Sequence, residues 1–204
     1  MIDKTALYLI DKYIEDLKFL KTYYQKEYEK ICKEVDVMCD KEVCIRKAQQ
    51  DKNVKESTYD ICEIISNFED KKYIILSGEL QNLVSLWENQ MNDFYLLNKC
   101  KDFKDLKENF SKDDYFQLGK EKNFNLYEMR IVGIYLKHGQ YGTAEKDLIS
   151  INSKYYNNNG QFGELRGNYY RSKQLNITKD DIEFFAGLII EFWTKVKSSI
   201  IHKG

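Results

Sequence analysis

The sequence predicts an all-α protein, an irregular bundle of five to seven helices, and three observations carry that prediction. The 204 residues contain no proline and only ten glycines, where average usage of ~5% would bring about ten prolines. Apolar side chains recur at steps of three and four over long stretches, the period of one helix face. Charged residues make up 32% and the AVILMFWYC set 43%, so such faces have enough apolar material to close a core.

Taken in order, the first segment, about Asp3 to Glu34, carries Leu7, Ile10, Ile14, Leu17, Tyr24, Tyr28 and Ile31. That spacing is close to a heptad stripe, with Lys, Glu and Asp on the other faces, and predicts one long amphipathic helix. Val35 to Lys55 is charged, holds two cysteines and lacks a clear period, so it reads as a connection with at most a short helix. Ile61, Ile64, Ile65 and Phe68 predict a second helix from Ser57. Leu76, Leu80, Leu83, Trp87, Met91 and Phe94 predict a further one from about Lys72 to Lys99. A short helix is expected at Lys104 to Phe110, and Ser111 with Asp114 could cap another turn. Helix returns from about Asn125 to Lys137 and stops at His138-Gly139, glycine being suited to the left-handed position past a helix end. Ile149 to Gln174 reads as the longest irregular segment. Thr178 with Asp181 resembles a capping box, and Ile182, Phe185, Ile189, Trp193, Val196 and Ile200 continue the last stripe. With no repeat and no Gly/Ser-rich linker, the chain reads as a single helical domain.

Composition narrows the function classes. Lys plus Arg is 32 against 33 for Asp plus Glu, a net charge of −1, which excludes a generally basic nucleic-acid binder but leaves room for a local basic site. No apolar run approaches the ~20 residues of a membrane span, and Met-Ile-Asp-Lys lacks a secretory apolar region. The expectation is a cytoplasmic protein without a membrane partner. The five cysteines (Cys32, Cys39, Cys44, Cys62, Cys100) are odd in number and widely spaced. Reduced side chains fit that spacing better than a disulfide framework or a zinc site. No cofactor and no metal are expected. Glu63, Glu69 and Asp70 lack the spacing of a metal-binding helix pair. Walker A, G-x-S-x-G and H-E-x-x-H sequences are absent.

One segment carries candidate chemistry. It runs from Arg130 through Lys137, His138 and Gly139 to Gly142, Thr143, Ala144 and Leu148. The chain has four arginines and two histidines, and one of each falls eight residues apart in the same predicted helix. Helix geometry sets Arg130 and His138 about 80° apart around the axis and ~12 Å along it. His138 would sit at the last turn, where the negative end of the helix dipole favours a cation. An imidazole can act as general base on a ribose 2′-hydroxyl or as acid on the leaving oxygen. A guanidinium nearby would grip the phosphate and stabilise transition-state charge, and this route to RNA cleavage needs no metal.

The segment resembles the HEPN superfamily of small all-helical domains, many of them ribonucleases of toxin–antitoxin and phage-defence systems. Their motif is an Arg, four to six residues, then a His near the end of a core helix. It is more closely similar to a bacterial group with Arg, seven residues ending in Lys, then His-Gly-x-Gly-x-Ser-Ala-x-x-Leu. Arg130, Lys137, His138, Gly139, Thr143, Ala144 and Leu148 follow that order, with Gly142 one place later than the second glycine. Leu83 to Gln90, with Trp87-Glu88, resembles the aromatic-Glu helix that those proteins carry upstream. The departures are the seven residues between Arg130 and His138, Ile131 where a polar residue often follows the Arg, and Ile134 where the closer group tends to have Asn. The resemblance covers about Leu80 to Ile200 and implies a HEPN-like core, placed at 71–204 behind the N-terminal helices of 1–70. It also implies RNA as a partner, Arg130 and His138 as catalytic groups of a metal-independent endoribonuclease, and a homodimer whose shared groove both residues line.

Two other readings of the same residues stand beside this one. Lys137-His138-Gly139 can be a charged helix end and no more, with Arg130 paired to Glu128 or Glu88. The chain can also be a non-catalytic interaction module with a protein partner: an antitoxin, a defence-system subunit or an inhibitor. Arg166, Tyr169, Tyr170 and Arg171 form a basic aromatic patch that could stack bases and grip phosphates, and Lys137 could add to RNA binding. Lys195, Lys197, His202 and Lys203 read as a solvated helix end.

Overall fold

The computed structural model describes residues 4–49, 54–97, 123–138, 143–156 and 175–203. These residues form five α-helices and no β-strand: α1 (Lys4–Gln49), α2 (Val54–Leu97), α3 (Phe124–His138), α4 (Ala144–Ser150) and α5 (Lys179–Lys203). The irregular helical bundle expected from the sequence is the architecture found. The helix expected at Lys104–Phe110, the turn at Ser111–Asp114 and Gly139 lie outside the described residues.

Two helices are longer than their sequence pattern suggested. α1 continues 15 residues past Glu34 to Gln49, through the stretch read as a connection. No glycine, proline or asparagine interrupts it there, and Met, Glu, Lys, Arg and Ala sustain helix well. Its inner side still packs, with Val35 buried and Cys39 and Val43 half-buried four residues apart. α2 is a single helix where two were expected, because Glu69-Asp70-Lys71-Lys72 breaks the apolar stripe without breaking the backbone. Lys72 explains that charge run. Its ammonium lies 2.5 Å from Asp36 on α1 and 2.8 Å from Glu69, so the charges bridge two helices.

The core sits where α1, α2 and α5 meet. Ile10, Tyr13 and Leu17 from α1 pack with Leu80, Leu83, Trp87 and Phe94 of α2 and with Phe185, Ile189 and Trp193 of α5. Trp193 is fully buried, with ring centroids 4.9 Å from Tyr13, 5.0 Å from Phe192 and 5.3 Å from Phe94. Its indole N–H donates to Gln90 Oε1 at 2.8 Å. α5 runs antiparallel to α1: Lys197 pairs with Asp11 at one end, and Lys179 with Glu29 at the other. α1 beyond Glu29 and α2 before Tyr73 therefore extend past the start of α5 as a two-helix arm. Among the described side chains of that arm, Val35 alone is fully buried.

The expected cap of α5 forms in one of its two arms. Asp181 Oδ2 accepts from the Thr178 backbone N–H at 2.7 Å, the reciprocal bond of a capping box. The Thr178 hydroxyl donates to the same carboxylate oxygen at 2.9 Å instead of accepting from the helix.

Glu79 is the strained group of the α1–α2 seam. Its Oε2 is buried without a hydrogen-bond partner, and burial, then Glu27, push its carboxyl up to about 7. A carboxyl raised on folding holds its proton longer in the native state, so its contribution is intact below pH ~4.5 and is lost as pH rises through about 7. Glu79→Gln should therefore leave stability little changed at pH 4 and raise it at pH 8 by on the order of 1–3 kcal/mol, after allowance for solvent screening. Urea midpoints for both proteins at the two pH values measure the difference.

Candidate functional site

α3 carries the candidate groups, and the sequence around it decides which way it faces. Leu126, Met129, Val132 and Tyr135 recur at steps of three and are buried, so the helix lays that side on α2 and α5. Gly133 permits the close approach: a Cβ there would stand 2.4 Å from Val84 Cγ1 and 2.9 Å from Val84 Cβ. Arg130, Lys137 and His138 fall on the opposite side and are all exposed. Lys137 lies within about 20° of Arg130 around the axis, and His138 about 80° from it and ~12 Å along.

Glu128 is not the partner of Arg130. Two helix positions amount to about 200° of rotation, so when Arg130 faces solvent Glu128 faces inward. It is 4% exposed and accepts a 2.5 Å hydrogen bond from the Ser153 hydroxyl. Among the described residues no ion pair joins Arg130 to Glu128 or to Glu88. The guanidinium is available to a ligand on that side.

What holds α3 in this rotation is a set of residues that sequence reasoning missed. α4 ends in a Schellman turn: Asn152 takes the left-handed conformation at φ 49° and donates to Ile149 O, and Ser153 N–H returns to Leu148 O at 2.9 Å. The turn delivers Ser153 to Glu128, and the Ser153 hydroxyl also accepts from Tyr155 N–H at 3.2 Å. The Tyr155 hydroxyl donates to Asp181 Oδ1 at 3.0 Å, tying the same loop to the cap of α5. Tyr156 donates to Glu145 at 2.6 Å and sets its ring edge-on to Tyr135. Burial raises the phenol of Tyr135 to about 12, with Glu145 and then Tyr73 adding to it. Burial beside Asp181 raises that of Tyr155 further. These phenols act as neutral donors and ring surface rather than as acids. Asn152, at the start of a stretch read as irregular, was the one sequence sign of the turn, because asparagine is the commonest non-glycine residue to adopt this conformation.

The arrangement gives one inward face locked by hydrogen bonds and one outward cationic face. Arg166, Tyr169, Tyr170 and Arg171 lie outside the described residues. Among the described residues, no three His, Cys, Asp or Glu side chains gather into a group that could hold a metal ion, and no helix is long and apolar enough to cross a membrane. No protein family, curated protein or solved structure matches the chain.

Proposed function

We propose that the chain is a HEPN-like protein acting on RNA through the outer face of α3, with a place in a toxin–antitoxin or phage-defence system. The observation that supports this reading is the exposure of Arg130, Lys137 and His138 on one side of a helix whose other side is fixed in the core. Arg130 grips a phosphate, and Lys137, nearly above it, adds charge along the strand. His138 takes the proton of a ribose 2′-hydroxyl, or in its protonated form gives one to the leaving 5′-oxygen. The 2′-oxygen bonds to phosphorus and the bond to the 5′-oxygen breaks, which leaves a cyclic 2′,3′-phosphate and a 5′-hydroxyl.

Incubation of the protein with cellular RNA in EDTA tests this directly, with cyclic phosphate ends as the expected product. His138→Ala should lower the cleavage rate by about 10²-fold or more, and Arg130→Ala should weaken both binding and rate. Cleavage unchanged in His138→Ala removes the assignment, and cleavage that needs magnesium removes the mechanism. A second reading, a non-catalytic interaction module, is favoured by the apolar side chains exposed on α1, among them Phe19 stacked on Tyr23. A stable heteromeric complex without nuclease activity would select that reading.

A further inference from the structure

We propose that the outer face of the arm's α1 half docks a second copy of this chain, laid antiparallel upon it. α1 carries two stripes in this region. The inner one, Val35, Cys39 and Val43, faces α2. The outer one is Val37, Lys41, Cys44 and Ala48, at steps of four, three and four, the spacing of a coiled-coil seam. Met38 and Ile45 lie along one flank of it, and Asp40 and Lys47 along the other. Every one of these residues is exposed, Val37 at 53%, Met38 at 56% and Ile45 at 52%. Val37, Asp40, Lys41, Cys44 and Ile45 line a shallow hollow along the seam. Among the described residues nothing covers this seam, which lies on the far side of the arm from α2.

The identity of the occupant follows from charge, because the face complements its own reverse. With the helices antiparallel and Lys41 set beside Cys44 of the second copy, Val37 meets Ala48. On one flank Met38 then meets Ile45, apolar on apolar. On the other Asp40 meets Lys47, and the twofold axis repeats each contact. A parallel pairing would instead set Asp40 against Ile45 and match no charges. Among the described residues neither Asp40 nor Lys47 is held by another ion pair, so both are available. Lys41 lays its methylene stem across the seam and carries its ammonium to the rim.

The outer face of α3 fails the same test. It presents Arg130, Lys137 and His138 with no exposed carboxylate of its own helix, so a twofold contact there would bring cations together. A second copy on α1 leaves both α3 faces open. This proposal does not rest on the RNA reading, since the contact stands whether or not the protein cuts RNA.

Sedimentation velocity across the micromolar range, under reducing conditions because Cys44 is exposed, should show a monomer–dimer equilibrium. Asp40→Lys replaces two attractions by two repulsions and should weaken the dimer roughly tenfold, as should Lys47→Asp. The double variant Asp40→Lys/Lys47→Asp exchanges the charges and should restore the wild-type dissociation constant. Both sites are exposed, and circular dichroism confirms that each variant keeps its helix. The proposal is overturned by a wild type that stays monomeric, by single variants that dimerise normally, or by a double variant that does not recover. A dimer broken by Arg130→Glu but not by Asp40→Lys would place the contact on α3 and overturn it as well.

Discussion

Trp193→Ala is expected to cost about 3–5 kcal/mol of stability. The indole is fully buried and packs against Tyr13 of α1, Phe94 of α2 and Phe192 of its own helix. Its removal opens a cavity at the point where three helices meet, and rigid neighbours can fill only part of it. It also strips Gln90 Oε1 of its donor inside the core. Trp193→Phe separates the two effects. It keeps most of the ring and loses the N–H, so it should cost about 1–3 kcal/mol, the penalty of an unpaired buried acceptor. Denaturant unfolding of the three proteins measures both steps, and a loss in Trp193→Ala no larger than in Trp193→Phe would contradict the packing account.

Gly133→Ala comes next, with an unusual sign. In an open helix this change stabilises by up to about 1 kcal/mol through backbone entropy. Gly78 and Gly187, with no atom within 4 Å of an added Cβ, should follow that rule. At Gly133 the new methyl meets Val84 at 2.4 Å from Cγ1 and 2.9 Å from Cβ. Valine cannot swing aside, because branching at Cβ fixes its rotamer and Cβ itself moves only with the backbone. α3 must back away from α2, and the net expectation is a loss of about 1–3 kcal/mol from overpacking. Val84→Ala in the same chain should recover part of it, a coupling of about 0.5–3 kcal/mol between contacting sites. Thermal unfolding of the two single variants and the double variant gives the coupling. Additive losses would mean that the two helices are not in contact there.

The helical stripes of α2 and α5 could be read from sequence because each residue's burial follows its own period: Leu76 to Phe94 and Ile182 to Ile200 are buried where the spacing set them. Helix ends were harder. Arg46 and Lys47 close a helix whose single apolar stripe stops before Glu34, since a two-sided helix in an arm has apolar residues on both faces and so shows no single stripe. The exposure of Arg130 and the inward turn of Glu128 follow from helix rotation alone and were accessible in advance. The Ser153–Glu128 bond was not. It joins residues 25 apart through a turn, and nothing in either residue's neighbourhood announces the other.

The pairing of α1 with α5 has a consequence for how the chain acquires its shape during synthesis. Lys197 and Asp11 are 186 positions apart, and Glu183 meets Gln25 across 158. α1 and α2 can zip together soon after they leave the ribosome, but Ile10, Tyr13 and Leu17 keep one flank wet until α5, the last of the described helices, has been made. At ~5–20 residues per second the chain spends several seconds with that flank exposed. Closing so long a loop adds only slowly growing entropy. The delay thus comes from translation rather than from the search, and α5 acts as the bolt that turns an open helical hairpin into a finished core.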